Sequence, residues 1–345
     1  MDRRQFIAAA GAVPFLPGVS FAQGKTPMFA AKYADMHAHL GFKPGPGFRA
    51  QMEKGGMLLV AEKITPDAPM IQRLGNKLGI TREAKPNEMR RNYEFVLDRR
   101  KATMRQEGLA SVTSVEALDK VMKERTPALV LAAEGADFIE GDLGYVEKAR
   151  ADGLVHLQLV HYYGLSRIGD ISTEAPQHQG LTALGKDLVR ACNRLGILVD
   201  VAHCSHPSME HALEISSRPI VYSHGHVSEG LPNPGQNGSL ARGIHLPVAK
   251  RIAEKGGVIG IWPEWYTYSN LALMADAIAR NAGQLGAAHV GIGSDMHGLA
   301  RTVMPTYAEF AELEEELGKR GFKPAEVEGI MGGNYLRVLR EAMKP

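Results

Sequence analysis

The chain contains little cysteine, and no charge of one sign dominates it. Its 345 residues include only Cys192 and Cys204, too few for the disulfide framework of a small secreted domain, and we interpret both as free thiols. With 40 Lys and Arg against 38 Asp and Glu, neither a nucleic-acid partner nor an anionic membrane surface is indicated. Internal repeats and low-complexity tracts are also absent. What is present is a globular composition, 44% hydrophobic, that can bury a large core.

The N-terminal residues have the layout of an export signal. Arg3 and Arg4, followed by Phe6, precede an apolar, Ala- and Gly-rich run that ends near residue 22. This layout is typical of a secretory signal peptide, and the paired arginines predict the twin-arginine route. We therefore predict a signal peptide over 1–22, a single domain over 23–345 and a periplasmic location. A retained membrane anchor is the alternative, although the run is short for a spanning helix, and no later stretch is apolar enough to span a bilayer.

Eight short, nearly continuous apolar runs alternate with segments of helical pattern. The predicted strands lie at 32–39, 56–62, 128–134, 154–161, 197–203, 220–224, 257–262 and 289–295. Such runs are typical of parallel strands that are buried on both faces. Strands and helices that alternate in one undivided chain favour an α/β fold of the (β/α)₈ TIM-barrel type. The competing fold is an open doubly wound sheet, but no Gly-x-Gly-x-x-Gly fingerprint follows any of the strands.

Polar side chains that can bind metals end most of these predicted strands. They are His37 and His39 on the first strand, Glu134 on the third, His161 on the fourth, His203 on the fifth, His224 on the sixth and Asp295 on the eighth. Because the carboxyl ends of barrel strands meet at one mouth, where active sites are built, we expect these side chains to share one site. Glu62 also ends a predicted strand, and we interpret it as an exposed rim residue.

The pattern of ligands predicts two metal ions. His37 and His39 are two residues apart on a strand and therefore face the same side, where they can hold one ion. The Glu134 carboxylate can bridge to a second ion, which His203 and His224 would complete. Imidazole and carboxylate ligands suit zinc, with manganese, cobalt or iron as alternatives.

Two such ions would support hydrolysis. Held about 3.5–4 Å apart, they would bind a hydroxide between them and lower its pKa toward neutrality. Asp295 would accept the proton of this nucleophile and deliver it to the leaving group. His161, with one ion, would polarise the scissile carbonyl. The expected chemistry is metal-assisted hydrolysis at a carbonyl or phosphoryl centre. The alternative for Asp295 is a purely structural role as a helix N-cap.

Several of these segments resemble known motifs of one enzyme family. The segments are 133–135, 193–203, 219–224, 291–295 and 332–338. In them the sequence resembles the membrane dipeptidase family (renal dipeptidase, peptidase M19) of the amidohydrolase superfamily. The resemblance implies a two-zinc barrel dipeptidase. In it His37 and His39 bind one zinc, Glu134 bridges, His203 and His224 bind the other, His161 contacts substrate, and Arg242 holds the free carboxylate of the substrate, as guanidinium geometry allows.

Two features depart from the family pattern. The family typically has His-x-Asp on the first strand, whereas this chain has His37-Ala38-His39, which removes one negative charge from the first metal site. Residues 41–125 match the family poorly, which leaves room for a different pocket.

We expect a periplasmic dipeptidase, with a homodimer left open as its state of assembly. The alternatives are an amidohydrolase of N-acyl amino acids, lactams or lactones, and a metal-binding protein without turnover. A phosphoesterase is disfavoured because no Lys/Arg cluster lies at the mouth.

Overall fold

The computed structural model describes residues 32–41, 47–75, 77–231 and 238–344. The signal peptide predicted over 1–22 lies outside the described residues. Within these ranges, no helix combines the length and the apolar character that crossing a membrane requires. Both cysteines are buried and unpaired, as predicted.

Eight parallel strands form the centre of the fold. They are β1 (Tyr33–Ala38), β2 (Met57–Ile64), β3 (Ala128–Glu134), β4 (Leu154–Gln158), β5 (Leu198–Asp200), β6 (Val221–Tyr222), β7 (Val258–Ile261) and β8 (Val290–Ile292). Each strand pairs with the next in chain order, always in parallel. A parallel bridge between Ala38 and Met296 nearly closes the sheet between β8 and β1. The predicted (β/α)₈ barrel is therefore confirmed.

Helices follow the strands and cover the barrel. They are α1 (Phe48–Lys54), α2 (Glu88–Glu107), α3 (Val115–Glu124), α4 (Gly144–Ala151), α5 (Ala183–Leu195), α6 (His206–Ile215), α7 (Gly238–Ala241), α8 (Leu246–Glu254), α9 (Leu271–Leu285), α10 (Glu309–Lys319), α11 (Pro324–Glu328) and α12 (Asn334–Met343). Short 3₁₀ turns lie at Ala68–Met70, Asp137–Ile139 and Ala287–His289, and a π-turn at Gly329–Gly333 leads into α12. Local sequence explains the ends of α5, because the Thr182 side chain accepts from the Gly185 N–H and Gly196 adopts a left-handed backbone.

Short additional strands lie outside the eight-stranded barrel order. Ala110–Ser111 adds to β3 in parallel, and Val227–Ser228 pairs with Ile244–His245. Between β2 and α2, Ile71–Leu74 and Lys77–Ile80 form an antiparallel hairpin. This hairpin lies in the segment after the carboxyl end of β2, so it belongs to the same end of the barrel as the predicted site.

The strands are buried because helices cover one face and the opposite wall of the barrel covers the other. All eight residues of β2 and all seven of β3 are buried. One of them is the charged side chain of Lys63. Helix α12 packs through Tyr335, Leu336 and Leu339 into a cluster that includes Val130 and Leu198. The barrel is thus a filled core, and its carboxyl ends carry the polar residues.

Candidate metal centre

The structure brings together all eight predicted site residues at the carboxyl end of the barrel. His37 lies in β1, His39 directly follows it, and Glu134 is the last residue of β3. His161, His203, His224 and Asp295 follow β4, β5, β6 and β8 by two or three residues, and Arg242 lies in the longer connection after β6. The side chains of all eight are buried. The convergence expected from the sequence is therefore present.

Glu134 lies at the centre of this cluster. Its Oε1 atom is 3.4 Å from His37 Nε2, 3.3 Å from His203 Nε2 and 3.7 Å from His224 Nε2. Its Oε2 atom is 3.4 Å from His39 Nε2. His161 Nε2 also lies 3.4 Å from Oε1, so one carboxylate is surrounded by five imidazoles from four strand ends, as a bridging ligand would be.

The donor atoms fall into overlapping groups that can each hold an ion. His37, His39 and Asp295 form one group, His37, Glu134 and His224 a second, and Glu134, His161 and His203 a third. In every group the donor atoms lie within 4.8 Å of one another. Asp295, predicted only as a proton carrier, also belongs to a ligand group, with Oδ1 3.2 Å from His39 Nε2.

The spacing of the donors fits tetrahedral coordination. Two ligands that are each about 2.1 Å from a tetrahedral zinc ion lie roughly 3.4 Å apart. His37 Nε2 and His39 Nε2 are 3.2 Å apart, and His203 Nε2 and His224 Nε2 are also 3.2 Å apart. Donor atoms at this separation can share one tetrahedral ion. The residues present therefore fit a pair of divalent ions.

Three of the Nδ1 atoms have partners that point the corresponding Nε2 atoms into the site. His37 Nδ1 and His224 Nδ1 lie 3.2 and 2.9 Å from the same Ser223 Oγ. His161 Nδ1 lies 2.8 Å from Asp67 Oδ1 and donates to it. Hydrogen bonds of this kind fix the tautomer and the ring orientation of metal-binding histidines.

Electrostatics keep the central carboxylate ionised and three of the five imidazoles neutral, whereas Asp295 and Asp67 raise the pKa of His39 and of His161 against the effect of burial. Burial, with the charge of His224, holds the pKa of His37 well below its usual value. Burial alone would raise the pKa of Glu134, but His161 and His37 lower it well below its ordinary value. Burial, assisted by the charge of Arg242, holds the pKa of His203 and of His224 well below the usual value. Neutral imidazole and ionised carboxylate are the forms that bind metals.

Two of the site residues have strained backbones. His203 has a φ of 64° and Asp295 a φ of 47°, in the left-handed region that non-glycine residues rarely adopt. The predicted strands at 197–203 and 289–295 are accordingly too long, because β5 ends at Asp200 and β8 at Ile292. Strain of this kind is typical of functional sites, where the surrounding structure enforces it.

Arg242 brings a buried cation to the same cluster. Its Nη2 atom is 2.5 Å from His224 Nε2, and its Nη1 atom donates to Tyr162 OH at 3.2 Å. The guanidinium also lies over the Trp262 ring, 4.6 Å from its centroid. These contacts hold the guanidinium at the edge of the metal cluster, where it can pair with an anionic group of a ligand.

A pocket of about 220 Å³ opens above the cluster. This volume is below the roughly 300–1,000 Å³ that is usual for sites of drug-sized ligands, so the pocket suits a small substrate. The lining residues are His39, Thr65, Ala68, Ile71, Leu78, Glu134, His161, Tyr162, His203, Arg242, Asp295 and Gly298. The pocket thus gives a ligand access to predicted metal ligands, to Asp295 and to Arg242 at once.

Sequence reasoning missed three supporting residues and misjudged a fourth. Asp67, Tyr162 and Ser223 were not singled out, although Ser223 directly precedes a predicted ligand at a strand end. The interpretation of Glu62 as an exposed rim residue is wrong. Strand β2 continues to Ile64, and the Glu62 carboxylate is buried, where it accepts from Leu40 N at 2.7 Å and pairs with Arg100 Nε at 2.6 Å.

Comparisons with known proteins point to one family. A match to the family described as "Membrane dipeptidase (Peptidase family M19)" covers residues 87–344. Dipeptidase tcpJ of Claviceps purpurea is 28% identical over 64% of this chain and 52% of its own length. Human dipeptidase 3 is 25% identical over 68% of this chain and 49% of its own length. The chain therefore spans about half the length of the curated relatives that it matches.

Solved structures share the fold. The probable dipeptidase PvdM of Pseudomonas aeruginosa superposes with a TM-score of 0.76 at 19% identity, over 92% of this chain and 96% of that one. A metallopeptidase of Rhodobacter sphaeroides, liganded with a phosphinate mimic of L-Ala-D-Ala, gives 0.75 at 17% identity, over 91% and 99%. These likenesses establish the barrel architecture. Since the family match covers most of the chain, this protein belongs to the membrane dipeptidase family, peptidase family M19.

Proposed function

We propose that this protein is a metal-dependent dipeptidase that hydrolyses the amide bond of a short peptide with a free C-terminal carboxylate. The observation that carries the proposal is the position of the Arg242 guanidinium, buried at the edge of a carboxylate–imidazole cluster. A cation in that place is costly to bury unless an anionic partner joins it. The carboxylate of a dipeptide whose amide bond lies over the metal ligands is such a partner.

The five predicted ligands would hold two divalent ions, with zinc as the preferred metal. His37 and His39 would bind one ion, His203 and His224 the other, and Glu134 would bridge them. Bound ions supply Lewis acidity to a carbonyl and acidify water near neutral pH. The donor spacing described above and the membership of the M19 family support this arrangement.

Asp295 would carry the proton in the reaction. Its carboxylate lines the pocket beside His39, where it would face a nucleophilic water. It would accept a proton from that water and deliver it to the leaving amine. His161, held by Asp67, would donate through Nε2 to the developing oxyanion of the scissile carbonyl.

Known relatives support the choice of substrate class. The curated relatives named above are dipeptidases, and the Rhodobacter sphaeroides enzyme was crystallised with a mimic of a dipeptide. The replacement of the family's first-strand Asp by His39 changes one ligand of the first site but keeps a metal-binding side chain there.

The test is a substrate panel that removes one recognised group at a time. The zinc-loaded protein is assayed with dipeptides, with the same dipeptides amidated at the C-terminus, and with N-acetyl amino acids. We expect hydrolysis of the free dipeptides, loss of activity with a chelator and recovery with zinc. Preferential turnover of the N-acetyl amino acids would overturn the dipeptidase assignment in favour of an acyl-amino-acid hydrolase.

Arg242→Ala tests the carboxylate contact itself. KM for free dipeptides should rise roughly 10- to 100-fold, which corresponds to the loss of a charge-assisted hydrogen bond, while the amidated peptides should change little. Arg301→Ala is the matched control, because Arg301 stacks over Trp265 and does not line the pocket. An equal rise in KM for free and amidated peptides would contradict the proposed contact.

A further inference from the structure

A hairpin forms one wall of the pocket. Its strands, Ile71–Leu74 and Lys77–Ile80, pair over four positions. Its base is fastened because Thr81 donates to the Met70 carbonyl through both its backbone N–H, at 3.0 Å, and its hydroxyl, at 3.2 Å. The same connection supplies Asp67, which holds His161. The wall is therefore tied to the site rather than loosely attached.

The part of the hairpin that lines the pocket is apolar. Ile71 and Leu78 both line the pocket, and Ala68 lines it just before the hairpin. Ile71 pairs with Ile80, two residues beyond Leu78, so alternation places Ile71 and Leu78 on the same face. Both side chains are only partly buried, which leaves apolar surface for a ligand to cover.

No charged side chain of the hairpin is among the described residues that line the pocket. The ionisable groups of the lining are His39, Glu134, His161, Tyr162, His203, Arg242 and Asp295. Arg73 lies directly across the hairpin from Leu78 and therefore shares its face, but it is exposed and is not one of the lining residues. A charged side chain placed against the wall would lose water without gaining a partner.

The barrel order places this wall opposite Arg242. The hairpin follows β2, and Arg242 follows β6. In an eight-stranded barrel with strands in chain order, β2 and β6 lie on opposite sides of the axis. A dipeptide whose carboxylate pairs with Arg242 therefore directs its N-terminal residue toward the hairpin.

We propose that the hairpin selects dipeptides with an apolar N-terminal side chain. This inference rests on the proposed dipeptidase function and adds to it the class of substrate. Ile71 and Leu78 are the specificity-determining residues, since the substrate side chain covers their exposed surface. A Leu side chain gains from this burial, whereas Lys or Glu at the same position does not.

Kinetics with a matched set of peptides test the proposal. For Leu-Ala, Lys-Ala and Glu-Ala, kcat/KM should be roughly 10- to 100-fold higher for the leucine peptide, the range expected for a modest apolar pocket. Ile71→Glu should lower kcat/KM for Leu-Ala and raise it for Lys-Ala. Ile71→Ala should lower the preference for Leu-Ala without favouring Lys-Ala. Zinc content should stay that of the unmodified protein in both variants.

Leu74→Glu is the control on the same hairpin. Leu74 is 42% exposed and alternates to the face opposite Ile71, so this change should leave the ratio of Leu-Ala to Lys-Ala turnover unaltered. Equal kcat/KM for the three peptides, or a preference for Glu-Ala, would overturn the selection by the hairpin and leave the dipeptidase assignment intact. Failure of the zinc-loaded protein to cleave any dipeptide would overturn both.

Discussion

The two carboxylates of the centre differ in their surroundings. Glu134 lies within 3.7 Å of five imidazole Nε2 atoms, which leaves little of its surface for another partner. Asp295 has one imidazole at 3.2 Å and lines the open pocket. A carboxylate enclosed by ligands suits a bridging role, whereas one at the pocket edge can exchange a proton with water or substrate.

Asp295→Asn tests this division of roles. The amide keeps an oxygen donor near His39 but cannot accept the proton, so kcat should fall by about 10²- to 10⁴-fold while KM changes little. Steady-state kinetics give these constants, and metal analysis of the same samples checks that the ions remain bound. A variant with near-normal kcat would disprove the role of Asp295 in proton transfer. Loss of the ions would show instead that its main role is that of a ligand.

At the level of the strands, a buried charged group sets the ends of β5 and β6. Asp200 Oδ1 accepts from Ala202 N and from Ser223 N, both at 3.0 Å. Its Oδ2 atom is 3.0 Å from Lys63 Nζ of β2. Because each accepted bond fixes the turn that leads to His203 or His224, this carboxylate orders the backbone that presents two predicted ligands.

His156 of β4 completes this group, and its environment should make the stability of the fold sensitive to acid. Its Nε2 atom is 3.2 Å from Lys63 Nζ, and its Nδ1 atom is 3.0 Å from Tyr335 OH. Burial, with the charge of Lys63, lowers the pKa of His156 to about 4. The unfolded chain binds this proton near pH 6.5, so between pH 6.5 and 4 the unfolded state binds more protons and stability falls as pH is lowered.

His156→Gln should therefore reduce the loss of stability on acidification. The histidine contributes on the order of 3 kcal/mol to the fall in the free energy of unfolding between pH 6.5 and 4. Urea denaturation of the metal-free chains over this range measures the difference, with His245→Gln as a control that removes a partly exposed imidazole. Parallel pH profiles for His156→Gln and the unmodified chain would rule out this contribution.

Element order and the convergence of the candidate ligands could be predicted from the sequence, whereas the details that depend on distant partners could not. Apolar runs located all eight strands, and the bounds of β3 were predicted correctly because its apolar run ends at Glu134. The predicted strands that end at His203 and Asp295 were too long because hydrophobic periodicity does not reveal a left-handed backbone. Glu62 was misjudged because its partner, Arg100, comes from α2. The hairpin at 71–80 was not predicted, since its few residues carry no strong alternation.

At the scale of the whole molecule, the predicted ligands come from the ends of β1, β3, β5 and β6. Strands β5 and β6 are short and share a single register pair, Asp200 with Val221. His203 and His224 follow these two strands, with their Nε2 atoms 3.2 Å apart. An ion held by both histidines would therefore connect β5 to β6, which few backbone hydrogen bonds join.

Metal binding should accordingly stabilise the entire barrel. An ion at 100 times its dissociation constant stabilises the folded state by about 2.7 kcal/mol, which corresponds to a rise in Tm of about 4 °C for a domain of this size. Differential scanning calorimetry of the chelator-treated protein, with and without added zinc, measures this shift.

Glu134→Gln is the matched variant, because it keeps the shape of the side chain but removes the central negative charge. Its zinc-induced shift should be smaller by half or more. An identical shift in both proteins would mean that zinc binds elsewhere, and the centre built around Glu134 would lose its support.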